Sequence, residues 1–158
     1  MPAVIRAAWV ALVLLLAACR QGPPARYAEL FALPLDEQPA AMRRFPLADQ
    51  VEIYLWATVR QAPARLSLAE PIAARGREAV PALLARLRTA EGWEVARLLY
   101  VFEVMACRHP EVRADRALLA ELEASVPRAS TPAARRRAAW SLGVFDGRRG
   151  CGAGPVPR

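Results

Sequence analysis

The stretch at 93–107, WEVARLLYVFEVMAC, constrains the fold more than any other part of the chain. Val95, Leu98, Leu99, Phe102 and Met105 recur at helical spacing, and Tyr100, Val101 and Val104 close most of the remaining circumference. After Arg97 its only charge is Glu103. A helix that is apolar nearly all round has to be buried. Its fifteen residues fall short of the roughly twenty that cross a bilayer, so the cover must come from other helices of the same chain. Glu103 would be costly inside such a helix unless it is paired or lies at a rim, and neighbouring segments offer many arginines.

A chain of 158 residues is enough for one domain with a modest core. Lys is absent, so the formal charge of +7 is carried by arginine alone. These arginines are scattered between acids, and no aromatic-interleaved basic motif occurs, which argues for a solvated surface and against nucleic-acid binding.

In chain order, 27–33 suggests a turn or two of helix. Pro34, Pro39 and Pro46 then make an irregular region with a short helix at 38–44. Asp49 is placed to cap the next helix, where Val51, Tyr54, Leu55 and Thr58 or Val59 share a face before Pro63 ends it. A short helix at 68–74 follows, with Ser67 near its start and Gly76 as its stop. The segment 76–87 buries Leu83, Leu84 and Leu87, with Pro81 tolerated in the first turn. Gly92 separates it from the central helix, so the two should form an antiparallel hairpin. A second hairpin is expected from 110–126, with Val112, Leu118, Leu119 and Leu122, and 131–145, with Ala134, Ala138, Trp140, Leu142 and Phe145. Thr131-Pro132 is a cap followed by proline at the first helical position.

These hairpins resemble bacterial HEAT-type repeats of the sort related to phycobilisome lyases. Gly76 to Leu84 follows that family's first-helix pattern Gly-x-x-Ala-Val-Pro-x-Leu-Leu. Thr131 to Gly143 is similar to its second-helix pattern Asp-Pro-x-Val-Arg-x-x-Ala-Ala-x-Ala-Leu-Gly. Ala96 and Arg135, corresponding places in the two second helices, lie 39 residues apart, near the repeat length of about 40. The central helix departs from the pattern, with Ala96 where the family has arginine. The resemblance covers roughly 68–145 and implies an all-α fold, a short α-solenoid in which stacked hairpins share one core. It implies nothing specific about activity.

The amino terminus has Arg6 and then an apolar run from Ala7 to Ala18, the dimensions of a signal peptide. Leu16-Ala17-Ala18-Cys19 resembles the lipobox of bacterial lipoproteins, which implies removal of 1–18 and acylation of Cys19. Acyl chains there would anchor the protein to a membrane without spanning it. Arg20 follows where some lipoproteins carry an acidic retention residue, which by the same resemblance implies the outer membrane, facing the periplasm. The expected organisation is then a signal peptide at 1–18, a tether at 19–26, a helical domain at 27–146 and a flexible Gly/Arg/Pro tail at 147–158.

The residues offer no catalytic constellation. His109, the single histidine, lies in the turn Cys107-Arg108-His109-Pro110 without a second histidine or a Cys-x-x-Cys spacing, and reads as a surface or capping residue rather than a metal ligand. No Gly-x-Ser-x-Gly elbow or glycine-rich phosphate loop occurs. With Cys19 acylated, Cys107 and Cys151 remain as an even pair in an oxidising compartment, either bridged or as two free thiols. A bridge would hold the tail, which otherwise has little to bury. The expectation is therefore a non-enzymatic, cofactor-free envelope lipoprotein that presents a helical repeat surface to a protein partner. Arg135, Arg136 and Arg137 with Trp56 and Trp140 are the candidate contacts. The rival is association with anionic membrane or another polyanion through arginine clusters, and a lyase-like enzyme is a third.

Overall fold

The computed structural model describes residues 22–152, so the lipobox and Cys19 lie outside the described residues. Among the described residues every regular element is helical: eight α-helices joined by short 3-10 turns. The chain divides after Ala32 into two compact units. The first contains a 3-10 turn at Ala25–Tyr27 and helix α1 (Ala28–Ala32). The Arg26 guanidinium lies 4.5 Å from the centre of the Tyr27 ring.

The second unit contains α2 (Gln38–Met42), α3 (Leu47–Val59), α4 (Ala69–Ala73), α5 (Val80–Leu87), α6 (Trp93–Arg108), α7 (Arg116–Ser125) and α8 (Pro132–Phe145). Helix α6 occupies its centre, and α8, α4, α3 and α5 all pack on it. Val95, Ala96, Leu98, Leu99, Val101, Phe102, Met105 and Ala106 are buried, and each of the larger side chains contributes about 1.5–3 kcal/mol of burial. The most extensive partner is α8, which offers Ala134, Ala138, Ser141, Leu142 and Phe145. Small side chains at the first three of those positions let the two helices approach closely. Beyond them Phe145 meets Phe102 edge-on, with ring centroids 6.2 Å apart at 88°, the arrangement that aromatic quadrupoles favour. From α3, the fully buried Tyr54 donates its hydroxyl to the Arg97 carbonyl at 3.0 Å, and burial holds its phenol far above the ordinary tyrosine range.

Several local expectations need correction. Helix α3 begins at Leu47 after an extended Pro46, so Asp49 is not its cap but an acid in the first turn, where it still favours the helix dipole. The segment 110–126 is not one helix: a 3-10 turn at Pro110–Ala114 ends at Asp115, whose extended backbone starts α7 and whose carboxylate accepts from Leu118 N–H at 3.0 Å. Gly76 begins a 3-10 turn with φ +55° instead of merely ending the previous helix. The positive φ favours glycine, and a side chain there would also crowd the His109 ring at 3.2 Å. The Thr131 cap forms as expected, accepting from Ala134 N–H at 3.1 Å. The turn Val126–Arg128 touches both α7 and α8. It is also bound to the preceding loop, Gly92 N–H donating to the Arg128 carbonyl at 2.9 Å and the Arg128 guanidinium to the Arg88 carbonyl at 2.5 Å.

Candidate functional site

The central helix is not covered all round. Trp93, Arg97, Tyr100, Val104 and Cys107, spaced by four, three, four and three residues, fall on one stripe along α6. Every one of them is exposed or half-buried. Tyr100 and Val104, which the sequence suggested would close the circumference, instead form the floor of a groove.

This groove has a volume of about 680 Å³ and is open along one side. Leu66 and Glu70 contribute to one wall, and Ala133, Arg136 and Arg137 of α8 to the other. Cys151 and Gly152 lie at one end. Trp93 is 39% exposed, unusual for so large an apolar side chain among the described residues.

Two of the four lining guanidiniums are engaged. Arg108 is ion-paired to Glu70. Glu103 accepts from the Arg137 guanidinium at 2.9 Å and from the Ser141 hydroxyl at 2.7 Å, so this acid inside an apolar helix is paired as its chemistry demands. Arg137 also lies 4.9 Å from the centre of the Tyr100 ring. Burial, and then the negative charge of Glu103, raises the Tyr100 phenol above its ordinary value.

The other two are not engaged by acids. Arg97 lies 5.0 Å from the centre of the Trp93 ring, has no carboxylate partner among the described residues, and its buried Nε makes no hydrogen bond. Burial, opposed by Tyr54 and reinforced by the positive charge of Arg137, lowers its pKa from the ordinary arginine value. Arg136 is exposed and likewise has no carboxylate partner among the described residues.

Cys107 and Cys151 are joined as a disulfide, with Cα atoms 5.7 Å apart. The covalent condition for an ordered tail is therefore met. Arg149 N–H donates to the Gly143 carbonyl at 2.8 Å, and its guanidinium covers the Trp140 ring at 4.0 Å. Residues 153–158 lie outside the described residues.

The expected contact set is thus dispersed. Arg136 and Arg137 line the groove, but Arg137 is held by Glu103; Arg135 is exposed and outside the lining. Trp140 is half-buried beneath Arg149, and Trp56 is half-buried on α3, also outside the lining. His109 caps α6, its ring Nε2 lying 3.3 Å from the Ala74 carbonyl. No group of three potential metal-binding side chains occurs among the described residues, and none of their helices is long and apolar enough to cross a membrane.

No family model, curated protein or solved structure matches the chain. The apolar character of Trp93, Tyr100 and Val104 merges in the sequence with that of the buried face, which conceals the stripe they form with Arg97. The signal available was the stripe's spacing together with an arginine and a terminal tryptophan upon it.

Proposed function

We propose that the chain is a lipid-anchored protein of the bacterial envelope whose helical domain, made of HEAT-like hairpins, docks a protein partner through the groove on α6 and performs no catalysis. The observation that carries this reading is the open groove itself, lined by Trp93 and Tyr100 together with Arg97 and Arg136, two guanidiniums without acid partners among the described residues. Aromatic and arginine side chains are those enriched at the energetic centres of protein interfaces. The anchor rests on Leu16-Ala17-Ala18-Cys19, and an outer-membrane location facing the periplasm rests on Arg20.

A photo-reactive amino acid in place of Trp93, irradiated in intact cells, should cross-link one discrete protein. The same residue in place of the exposed Leu35 should not. Equal products at both positions would count against the groove. For the anchor, Cys19→Ala should move the protein out of the membrane fraction and remove fatty-acid label; retention of both would refute lipidation.

The exposed Arg135 and Arg136, without acid partners among the described residues, favour a second reading, binding to anionic membrane. Salt-dependent association of non-lipidated protein with anionic vesicles would support it.

A further inference from the structure

The groove's lining contains Arg97, Arg108, Arg136 and Arg137 against Glu70 and Glu103. The two acids engage Arg108 and Arg137, which leaves two positive charges uncompensated on different helices, Arg97 on α6 and Arg136 on α8. Between and beside them lie Trp93, Tyr100 and Val104. A half-buried guanidinium has lost part of its water and gained no acceptor in return. A carboxylate brought to it restores short, charge-assisted hydrogen bonds in the planar geometry that arginine favours.

Shape narrows the class of occupant. Enclosed small-molecule sites bury most of the ligand's surface, whereas this groove is open along its side and suits a segment of chain laid through it. Charge narrows it further. Vacant guanidiniums on separate helices match two single negative charges spaced along a chain better than one compact dianion.

We infer that the groove binds an acidic, partly apolar peptide segment of a partner protein, Arg97 and Arg136 each receiving a carboxylate while Trp93, Tyr100 and Val104 carry its apolar side chains. This inference rests on the reading of the groove as a docking surface and specifies what docks.

The test uses the full chain in neutral detergent and a fluorescein-labelled seven-residue peptide of alternating glutamate and leucine, followed by anisotropy. The expected result is saturable binding that weakens at least roughly ten-fold when glutamine replaces glutamate, since each lost charged hydrogen-bonded pair is worth about that factor. Arg136→Gln should weaken binding by a similar factor. Its side chain is exposed and holds no ion pair, so folding is unaffected, and circular dichroism checks this. Arg97→Gln and Trp93→Ala should each weaken it too, whereas Arg135→Gln, outside the lining, should leave it unchanged. Equal affinity for the glutamate and glutamine peptides would overturn the inference. So would an equal loss from Arg135→Gln, which would signify diffuse charge attraction. Displacement of the peptide by inorganic phosphate or phosphatidylglycerol vesicles at lower concentration than by unlabelled peptide would also overturn it, assigning the groove to phosphate. If the peptide fails while the Trp93 cross-link to a discrete protein persists, the docking surface stands and only the acidic partner falls.

Discussion

Phe102→Ala tests the placement of α6 most directly. The side chain is fully buried, on the face of α6 turned to α8, and its ring is met edge-on by Phe145. Truncation removes the transfer free energy of the ring and leaves a cavity that helices on several sides can close only in part. Substitutions of this kind cost about 3–5 kcal/mol. Part of that loss is the aromatic pair, worth about 0.5–1.5 kcal/mol beyond its area. Urea unfolding of the wild-type and variant, followed by circular dichroism with the disulfide intact, should show a lowered midpoint at nearly constant slope. A double-mutant cycle with Phe145→Ala should return a coupling of about 0.5–1.5 kcal/mol. A loss below about 1 kcal/mol, or a coupling of zero, would mean that α6 does not stand at the centre of the unit.

Glu103→Gln should cost about 1–3 kcal/mol, because Arg137 loses its counter-charge in a site where both side chains are mostly buried; a urea midpoint equal to wild-type would show the pair to be idle. Reduction of Cys107–Cys151, separated by 44 residues, should lower stability by up to about 4 kcal/mol on the chain-entropy estimate and expose 147–152 to proteolysis. Two titratable thiols beyond Cys19 in unfolded, unreduced protein would end that expectation. Thr131→Ala should cost about 0.5–2 kcal/mol by removing the bond to Ala134 N–H, whereas an unchanged thermal midpoint would show that Pro132 alone starts α8.

The parts legible in the sequence were those where a single physical rule acts. Helical period marked the core residues of α3, α6 and α8, and Thr131-Pro132 marked a start because cap and fixed φ act together. The failures occurred where two local signals competed. Pro46 and Asp49 can each begin a helix, and the earlier one prevails because Leu47 and Ala48 continue into α3 without a break. In 110–126, Pro110 starts one turn and Asp115 starts another, so a continuous apolar pattern conceals a change of direction. The groove was hidden for a different reason. Tyr100 and Val104 carry the same hydropathy whether a neighbouring helix covers them or not, and only the arrangement of α8 and Glu70 around α6 leaves that stripe open. Arg136 and Arg137, adjacent and alike in sequence, are separated in role by Glu103 and Ser141, which lie 34 residues before and four after Arg137 and meet it only when α6 and α8 pack together.

The stripe on α6 lies opposite side chains that fill the core, yet shares almost none of their space. Leu98, Leu99, Phe102 and Met105 face inward while Trp93, Arg97, Tyr100 and Val104 face the groove. Substitution along the outer stripe can therefore alter what the surface accepts while the inner face continues to hold the helices together. One helix thus carries two independently variable texts, and descendants of this chain could exchange one set of contacts for another without passing through an unfolded intermediate in their history.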